Sequence, residues 1–239
     1  MREEWAALRA ALVDARVQSA GGRSVVQGRL AGRDVVLALC GIGKVAAATT
    51  ATLLIDRFGA RTLLFTGVAG GLGREVRVGD VVVADALLQH DMDASPLFPR
   101  WEVPLTGRAR FATCDRWRDA LNAACDAVLA DPPAALGALG LGPPRRHQGL
   151  VISGDRFVAT SAESAALRAA LPDALAVEME GAAIAQVCAD FGCPLAVLRT
   201  ISDRADDQAH TDFGRFVTEV AAEYARDVVM RALVIGPTD

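Results

Sequence analysis

The chain is poor in lysine, in aromatic residues and in long apolar runs. Lys44 is the single lysine among 25 basic residues, and aromatic residues make up 5% of the sequence. The net charge of −4 excludes the strongly basic surface typical of nucleic-acid binding. No apolar run approaches the roughly 18 residues of a transmembrane helix. The first ten residues, MREEWAALRA, have an amphipathic helical pattern and lack the apolar core of a signal peptide. We therefore expect neither a nucleic-acid nor a membrane partner.

Cysteine is scarce and shows no metal-binding or disulfide pattern. The five cysteines are odd in number and form no CxxC pair. They fit small core residues of a reduced, cytoplasmic protein, and the sequence indicates no metal and no organic cofactor. Apolar residues make up 52% of the 239 positions, enough for one domain with a substantial core.

Short β-branched apolar runs alternate with alanine-rich helical stretches. The predicted strands are Val35–Cys40, Thr62–Gly67, Val81–Ala84, Leu150–Ser153, Leu175–Glu178 and Leu195–Ile201. The predicted helices are Val45–Phe58, Arg116–Ala130, Ser161–Ala170, Gly181–Phe191 and Asp212–Leu233. This alternation predicts an α/β fold: a single domain over residues 1–239, with a central mixed, twisted sheet flanked by helices.

Two irregular stretches interrupt the alternation. Asp131–Arg146 is rich in proline and glycine and predicts a surface loop between the halves of the sheet. Asp91–Phe111 carries three prolines with Phe98 and Trp101. A long loop of this kind is either a lid that sets specificity or a packed excursion, and both interpretations stay open.

Two glycine-rich turns follow predicted strands. Gly41-Ile42-Gly43-Lys44 opens a helix, where free N–H groups attract anions, although by itself it is more typical of a tight turn. Thr66–Gly73 places four glycines in seven residues after a buried strand. A glycine-rich bulge would explain it, but open α/β sheets bind ligands at this edge, and we favour a ligand-binding floor.

Three acidic residues lie where predicted strands end. Glu178 and Glu180 precede an apolar helix, and Asp203 follows the last predicted strand. Each alone is explained by helix capping or a turn. Together, beside the glycine floor, they favour an enzyme site that holds a polar substrate and protonates it.

Six motifs in order carry a resemblance to a known family. They are GIGKVAAA (41–48), TGVAGGL (66–72), RVGDVVVAD (77–85), GLVISGDRFV (149–158), AVEMEGAAIAQVC (176–188) and LRTISDRAD (198–206). The chain resembles the 5′-methylthioadenosine/S-adenosylhomocysteine nucleosidases of the nucleoside phosphorylase superfamily. The resemblance implies hydrolysis of the N-glycosidic bond between adenine and a 5′-thioribose, without a cofactor.

The resemblance also implies roles for four catalytic residues. Asp203 resembles the general acid that protonates N7 of adenine, which requires a protonated carboxyl in a shielded site. Glu180 resembles the carboxylate that holds the ribose hydroxyls and stabilises the sugar cation. Glu4 resembles the base that orients the attacking water, with Arg199 beside it. Two carboxylates on opposite faces of a sugar follow the logic of inverting glycosidases.

A second set of residues resembles the substrate-binding walls of the family. Phe157 is expected to stack on adenine, and the Val158 backbone to read the edge of the base. Val68 stands where the family pattern has a serine near the water. The remaining expected contacts are Met179, Ile42, Ser202, Phe98 and Phe213.

The same resemblance leaves two alternatives open. A phosphate-dependent phosphorylase of the superfamily would need several convergent donors for phosphate. A binding or storage homologue without activity is the other reading. Family members begin with a short apolar strand before the Met-x-Glu-Glu segment, and this chain starts at that Met, so either the recorded start lies downstream of the true one or the first strand is missing here. The family also implies a homodimer, with Asp91–Phe111 near the partner.

Overall fold

Two β-sheets and the helices around them make up the chain. The computed structural model describes residues 1–132, 136–137, 140–206, 216 and 221–238. The strands are β1 (Val13–Ala20), β2 (Arg23–Leu30), β3 (Arg33–Ala38), β4 (Leu63–Gly71), β5 (Val81–Gln89), β6 (Arg110–Ala112), β7 (Arg146–Ser153), β8 (Ala174–Glu178) and β9 (Leu195–Asp203). The α-helices are α1 (Arg2–Ala10), α2 (Lys44–Thr52), α3 (Asp115–Leu129), α4 (Ser161–Ala170), α5 (Gly181–Phe191) and α6 (Ala222–Ile235).

The larger sheet is mixed and closes on itself. Its order is β6-β5-β7-β8-β4-β9, and β5 pairs with β9 as well, so five of the strands form a ring. The β4–β9, β5–β7 and β7–β8 pairs are parallel, whereas β4–β8 and β5–β9 are antiparallel. All nine residues of β9 are buried, as expected for a strand that is covered on both faces. The prediction of an α/β domain around a mixed sheet is confirmed.

Helices cover this sheet on two sides. Residues of α1, α3 and α6 pack with β5 and β9 in one apolar cluster that includes Leu8, Trp117 and Tyr224. Residues of α2 and α5 pack against β4, β5 and β9 in a second cluster that includes Ala51 and Ile184. Within the described ranges, no helix is long and apolar enough to span a bilayer.

The smaller sheet, β1-β2-β3, is antiparallel, and its first two strands are absent from the sequence prediction. Seven of the eight residues of β1 are exposed, so no apolar alternation marks the strand. A usable signal is the pair Gly21-Gly22, which joins β1 to β2 with φ of 55° and 74°. Positive φ at both central residues is the geometry of a two-residue hairpin turn, for which glycine is suited.

Other element boundaries differ from the prediction by a few residues. The helix predicted over Val45–Phe58 is α-helical to Thr52 and continues as a π-helical turn over Leu53–Arg57. The loop predicted over Asp91–Phe111 gives way to β6 at Arg110. Part of the predicted loop Asp131–Arg146 and the first part of the predicted helix Asp212–Leu233 lie outside the described residues.

Candidate active site

The ends of four strands bring the acidic residues and the glycine floor together. Gly70 of β4 is in register with Val177 on one side and with Asp203 on the other. Ser153 at the end of β7 is in register with Glu178. A Cβ atom on Gly70 would lie 2.9 Å from Asp203 Oδ1. Glycine is therefore needed here because a side chain approaches the backbone closely.

Glu178 is a buried hydrogen-bonding hub. Its carboxylate accepts from the backbone N–H groups of Glu180 and Gly181 and from Ser153 Oγ. Glu178 Oε2 also accepts from Arg199 Nη2 at 2.7 Å, in an ion pair whose two side chains are 3% and 1% exposed. Every carboxylate oxygen thus has protein partners. Glu178 and Glu180 therefore differ in their surroundings: Glu178 is enclosed by protein donors, whereas Glu180 lines the cavity described below.

Arg199 lies between Glu178 and the cavity described below. Its guanidinium lies 3.9 Å from the centroid of the Phe65 ring. A Cβ atom on Gly67 would come within 2.7 Å of Arg199 Nη1, so the absence of a side chain there makes room for the guanidinium. Arg199 Nε is buried and has no hydrogen-bond partner among the described residues. Arg199 as a residue lines the cavity, while this nitrogen is shielded by the protein around it.

A cavity of about 1260 Å³ opens between β3 and β4. Consecutive residues of each strand line it, 33–38 from β3 and 63–68 from β4. Because side chains of a strand alternate between faces, a consecutive run shows that the strand edges face the cavity. Glu4, Glu180 and Arg199 line the same space, as do the predicted wall residues Ile42 and Val68.

Glu180 has an electrostatic environment that disfavours its charge. Burial raises the pKa of the Glu180 carboxyl above its ordinary value, and the neighbouring charge of Glu178 adds to the rise. The N–H of Gly43 donates to Glu180 Oε1 at 2.9 Å and acts in the opposite direction. The carboxylate accepts from the Gly43 N–H of the GIGK turn, the Met179 backbone N–H also lowers its pKa, and the residue lines the cavity. A substrate that donates hydrogen bonds would complete its coordination.

Glu4 reaches the cavity from helix α1. It is 1% exposed although it belongs to the first turn of a terminal helix. Glu4 Oε1 accepts from Thr66 Oγ1 at 3.4 Å, and Glu4 Oε2 lies 2.7 Å from the amino group of Met1. Cys40, which sequence reasoning did not select, lines the same cavity. Burial, with the nearby Glu180 carboxylate, raises the pKa of the Cys40 thiol to about 11, so the thiol is neutral near pH 7.

Asp203 ends β9 and is 2% exposed. Its Oδ1 accepts from the Ala205 N–H at 2.7 Å, and its Oδ2 accepts from Ser202 Oγ at 2.8 Å. These contacts fix the orientation of the carboxyl beside Gly70. Ser202, itself buried, therefore acts on Asp203, and its predicted place near the substrate stays a prediction.

The remaining predicted wall residues occupy several parts of the surface. Phe157 is 40% exposed, whereas Val158 is buried next to it. Met179 is half-buried between the two glutamates, and Phe98 is half-buried in the loop after β5. None of these four lines the cavity of Glu4 and Glu180. Phe213 lies outside the described residues, and the roles of all five stay predictions.

Metal ligation has no support in the described ranges. There, no three His, Cys, Asp or Glu side chains are grouped as metal ligands would be. The site consists of carboxylates, one arginine and backbone donors, which suit acid–base chemistry on a polar substrate. The expectation that no cofactor is needed stays a prediction.

Comparison with known proteins identifies the family of the chain. A family model described as the phosphorylase superfamily matches residues 1–234. The 5′-methylthioadenosine/S-adenosylhomocysteine nucleosidase of Mycobacterium bovis is 39% identical over an alignment of 242 positions, which covers 98% of this chain and 94% of that protein. The chain therefore belongs to the phosphorylase superfamily.

Solved structures narrow the family further. The nucleosidase of the same name from Neisseria meningitidis, in complex with methylthio-immucillin-A, is 36% identical with a TM-score of 0.86; the match covers 98% of this chain and 95% of that one. The enzyme from Colwellia psychrerythraea, in complex with adenine, is 33% identical with a TM-score of 0.89, over 98% and 92% of the two chains. Within the superfamily, the chain belongs to the 5′-methylthioadenosine/S-adenosylhomocysteine nucleosidases, as the motifs predicted.

Proposed function

We propose that this enzyme hydrolyses the N-glycosidic bond of 5′-thio-substituted adenosines, methylthioadenosine or S-adenosylhomocysteine, and releases adenine and the thioribose. The observation that carries the proposal is the convergence of Glu4, Glu180 and Arg199 on one cavity in a chain of this family. Asp203 ends β9, the strand that carries Arg199 and pairs directly with β4. The expected substrates are small nucleosides, and among these we propose the 5′-thio derivatives of adenosine.

The cleavage needs a proton on the base and charge stabilisation on the sugar. Adenine leaves poorly as an anion, so Asp203 donates a proton to it, while Ser202 and the Ala205 N–H hold the carboxyl in place. Glu180 accepts hydrogen bonds from the ribose hydroxyls, and its negative charge stabilises the oxocarbenium-like transition state. Binding of these hydroxyls supplies the partners that the buried carboxylate lacks on its cavity side.

The water is activated on the other side of the sugar. Glu4 is the general base, because its carboxylate is buried at the cavity wall. Arg199 lines the same cavity and helps Glu4 to orient the water. The Glu178 carboxylate neutralises Arg199, so that the guanidinium orients the water without binding a strong anion.

A phosphorylase reaction fits this cavity less well. A phosphate dianion near Arg199 would meet the carboxylates of Glu4 and Glu180 at the cavity wall and that of Glu178 in the ion pair. The repulsion between like charges at short range in a buried site costs roughly several kcal/mol at an intermediate dielectric constant. A binding homologue without activity is disfavoured because Glu4, Glu180 and Asp203 are all present.

We extend the proposal to the oligomeric state, the number of domains and the cellular location of the enzyme. We infer one domain over residues 1–239, a homodimer and a cytoplasmic enzyme. Family membership supports the dimer, and the five free cysteines, two of them buried, fit a reducing compartment. Light scattering tests the assembly: a mass near 50 kDa agrees with the dimer of a 25.0 kDa chain, and a mass near 25 kDa contradicts it.

The direct test of the reaction is release of the free base. Methylthioadenosine, S-adenosylhomocysteine and adenosine are incubated with the enzyme, and adenine is quantified by chromatography. We expect adenine from at least one of the two thio-substituted nucleosides at a rate above that from adenosine. A folded chain that releases adenine from neither would overturn the proposal.

A further inference from the structure

The single lysine of the chain ties together three loops near Glu180. Lys44 Nζ donates to Asp91 Oδ1 at 2.6 Å and to Gln89 Oε1 at 3.1 Å. The Lys44 backbone N–H donates to Asp155 Oδ1 at 2.7 Å, and the Asp155 N–H donates to Asp91 Oδ2 at 2.9 Å. Lys44, Asp91 and Asp155 therefore form a closed ring of three contacts. The ring joins the GIGK turn to the loops that follow β5 and β7.

A buried glutamine connects the ring to helix α5. Gln89 is 5% exposed, and its Nε2 donates to Gln186 Oε1 of α5 at 2.8 Å. The Lys44 side chain is 17% exposed and that of Asp91 33%. An ammonium held by two oxygen acceptors and largely shielded from water is more ordered than a surface ion pair. The position of the ring is thus fixed relative to the helix that Glu180 begins.

The GIGK turn has no room for a side chain at Gly43. Gly43 has φ of 89°, and a Cβ atom there would lie 2.9 Å from Asp155 Oδ1. The next backbone donor along the chain belongs to Lys44 and is bound to that same Asp155 oxygen. The Gly43 N–H, which holds Glu180 Oε1, is therefore oriented by the contacts of its neighbour.

We propose that the ring of Lys44, Asp91 and Asp155, called here the Lys44 latch, is a positioning device for substrate binding. It holds the Gly43 N–H on Glu180, and through Asp155 it fixes the start of the segment that carries Phe157. Lys44 is a positioning residue: it acts through Gly43 and Asp155 and contacts no reacting atom. The kinetic test of this inference rests on the proposed function, because KM is measured with the proposed substrate.

The kinetic test is a double-mutant cycle on KM. Lys44→Met, Asp91→Asn and the double variant are compared with the unmodified enzyme on methylthioadenosine. Each single variant is expected to raise KM about tenfold and to change kcat less, because the lost contacts position groups that bind the substrate before and during reaction. The double variant is expected to match the single ones, since both remove the same contact. Lys44→Arg, which keeps the cation, is expected to have a KM closer to that of the unmodified enzyme.

A matched ion pair elsewhere serves as the control. Arg110 and Asp173 pair at 2.6 Å on the surface and join strand β6 to the turn before β8. Arg110→Met and Asp173→Asn are expected to leave KM unchanged. A KM for Lys44→Met within twofold of the unmodified enzyme, or additive effects in the double variant, would overturn the latch.

A second readout separates the latch from the proposed reaction. Hydrogen exchange by mass spectrometry follows residues 41–44 and 154–158 in the unmodified enzyme, Lys44→Met and Arg110→Met. Faster exchange of both segments in Lys44→Met alone supports the latch even if no nucleoside is cleaved, and unchanged exchange contradicts it. An inactive unmodified enzyme, by contrast, contradicts the proposed function only.

Discussion

The guanidinium of Arg199 occupies the space that a side chain at Gly67 would need. The two residues are paired in the parallel β4–β9 ladder, and a Cβ atom on Gly67 would lie 2.7 Å from Arg199 Nη1. Arg199 in turn donates to Glu178 Oε2. The absence of a side chain at Gly67 therefore makes room for the buried guanidinium of Arg199. This group lies between the Glu178 carboxylate and the cavity.

Gly67→Ala is expected to displace Arg199 and suppress turnover. The added methyl pushes the guanidinium away from Glu178 and from the cavity wall, and a shift of about 1 Å in a catalytic group lowers the rate roughly 100-fold. Overpacking should also lower the free energy of unfolding by about 1–3 kcal/mol. Steady-state kinetics and denaturant unfolding measure the two effects.

The matched control is Gly142→Ala. Gly142 is exposed, and a Cβ atom there would meet nothing within 4 Å. Its activity and stability should equal those of the unmodified enzyme. Full activity of Gly67→Ala would show that the placement of Arg199 does not matter for the reaction.

Glu178→Gln is expected to destabilise the fold strongly. The substitution removes the charge that balances Arg199 in an ion pair whose side chains are 3% and 1% exposed. Breaking a buried pair from one side costs about 3–5 kcal/mol, which corresponds to a fall in Tm of about 10 °C for a chain of this size. Asp173→Asn breaks an exposed pair and should change Tm by only a degree or two. Equal Tm values for the two variants would refute the role of Glu178.

Asp203→Asn is expected to abolish base release while the chain stays folded. The amide keeps an oxygen that can accept from the Ala205 N–H, but it cannot donate a proton to the leaving base. A loss of kcat of about 100-fold to 10,000-fold is the ordinary size of a general-acid contribution. Asp190→Asn, at an exposed position of α5, is the control. Near-normal turnover by Asp203→Asn would remove Asp203 from the mechanism.

Glu180→Gln is expected to lose activity and gain stability at neutral pH. Burial is the larger cause of the raised pKa of the Glu180 carboxyl, and the negative charge of Glu178 is the second cause. A raised pKa in the folded state means that the ionised carboxylate costs stability, and the cost begins as pH rises above the ordinary carboxyl pKa and is complete above the raised one. The neutral amide avoids this cost, so Tm of the variant without substrate should exceed that of the unmodified enzyme at pH 7.

The pH dependence of this difference is the decisive part of the Glu180 test. Below the ordinary pKa of a carboxyl, Glu180 is protonated in both states, and the two Tm values should converge. A difference that is the same at acidic and neutral pH, or a variant that is less stable at pH 7, would contradict a raised pKa for Glu180. The activity of the unmodified enzyme should fall as pH falls through the same interval.

Helices and buried strands were predictable because their signals are local. The helices Ser161–Ala170 and Gly181–Phe191 have the predicted bounds. Thr160 caps the first by accepting from the Glu163 N–H, and Gly192 ends the second with φ of 64°. Strands β1 and β2 were missed because most of β1 is exposed, which leaves no apolar alternation to detect.

The chemistry of the site was only partly predictable. The motifs select Glu180 and Asp203 as candidates, but nothing local separates the surroundings of Glu178 from those of Glu180. The separation depends on Ser153 and Arg199, which reach Glu178 from other strands of the sheet. The contacts of Lys44 likewise come from loops 45 or more residues away along the chain. Long-range pairing of this kind follows from the fold and has no periodic signature in the sequence.

The most direct test of the central claim is adenine release from methylthioadenosine in phosphate-free buffer and again with phosphate added. The account predicts the same rate in both and a free thioribose as the second product. Release that requires phosphate, with a sugar 1-phosphate as the product, would contradict hydrolysis and make the enzyme a phosphorylase.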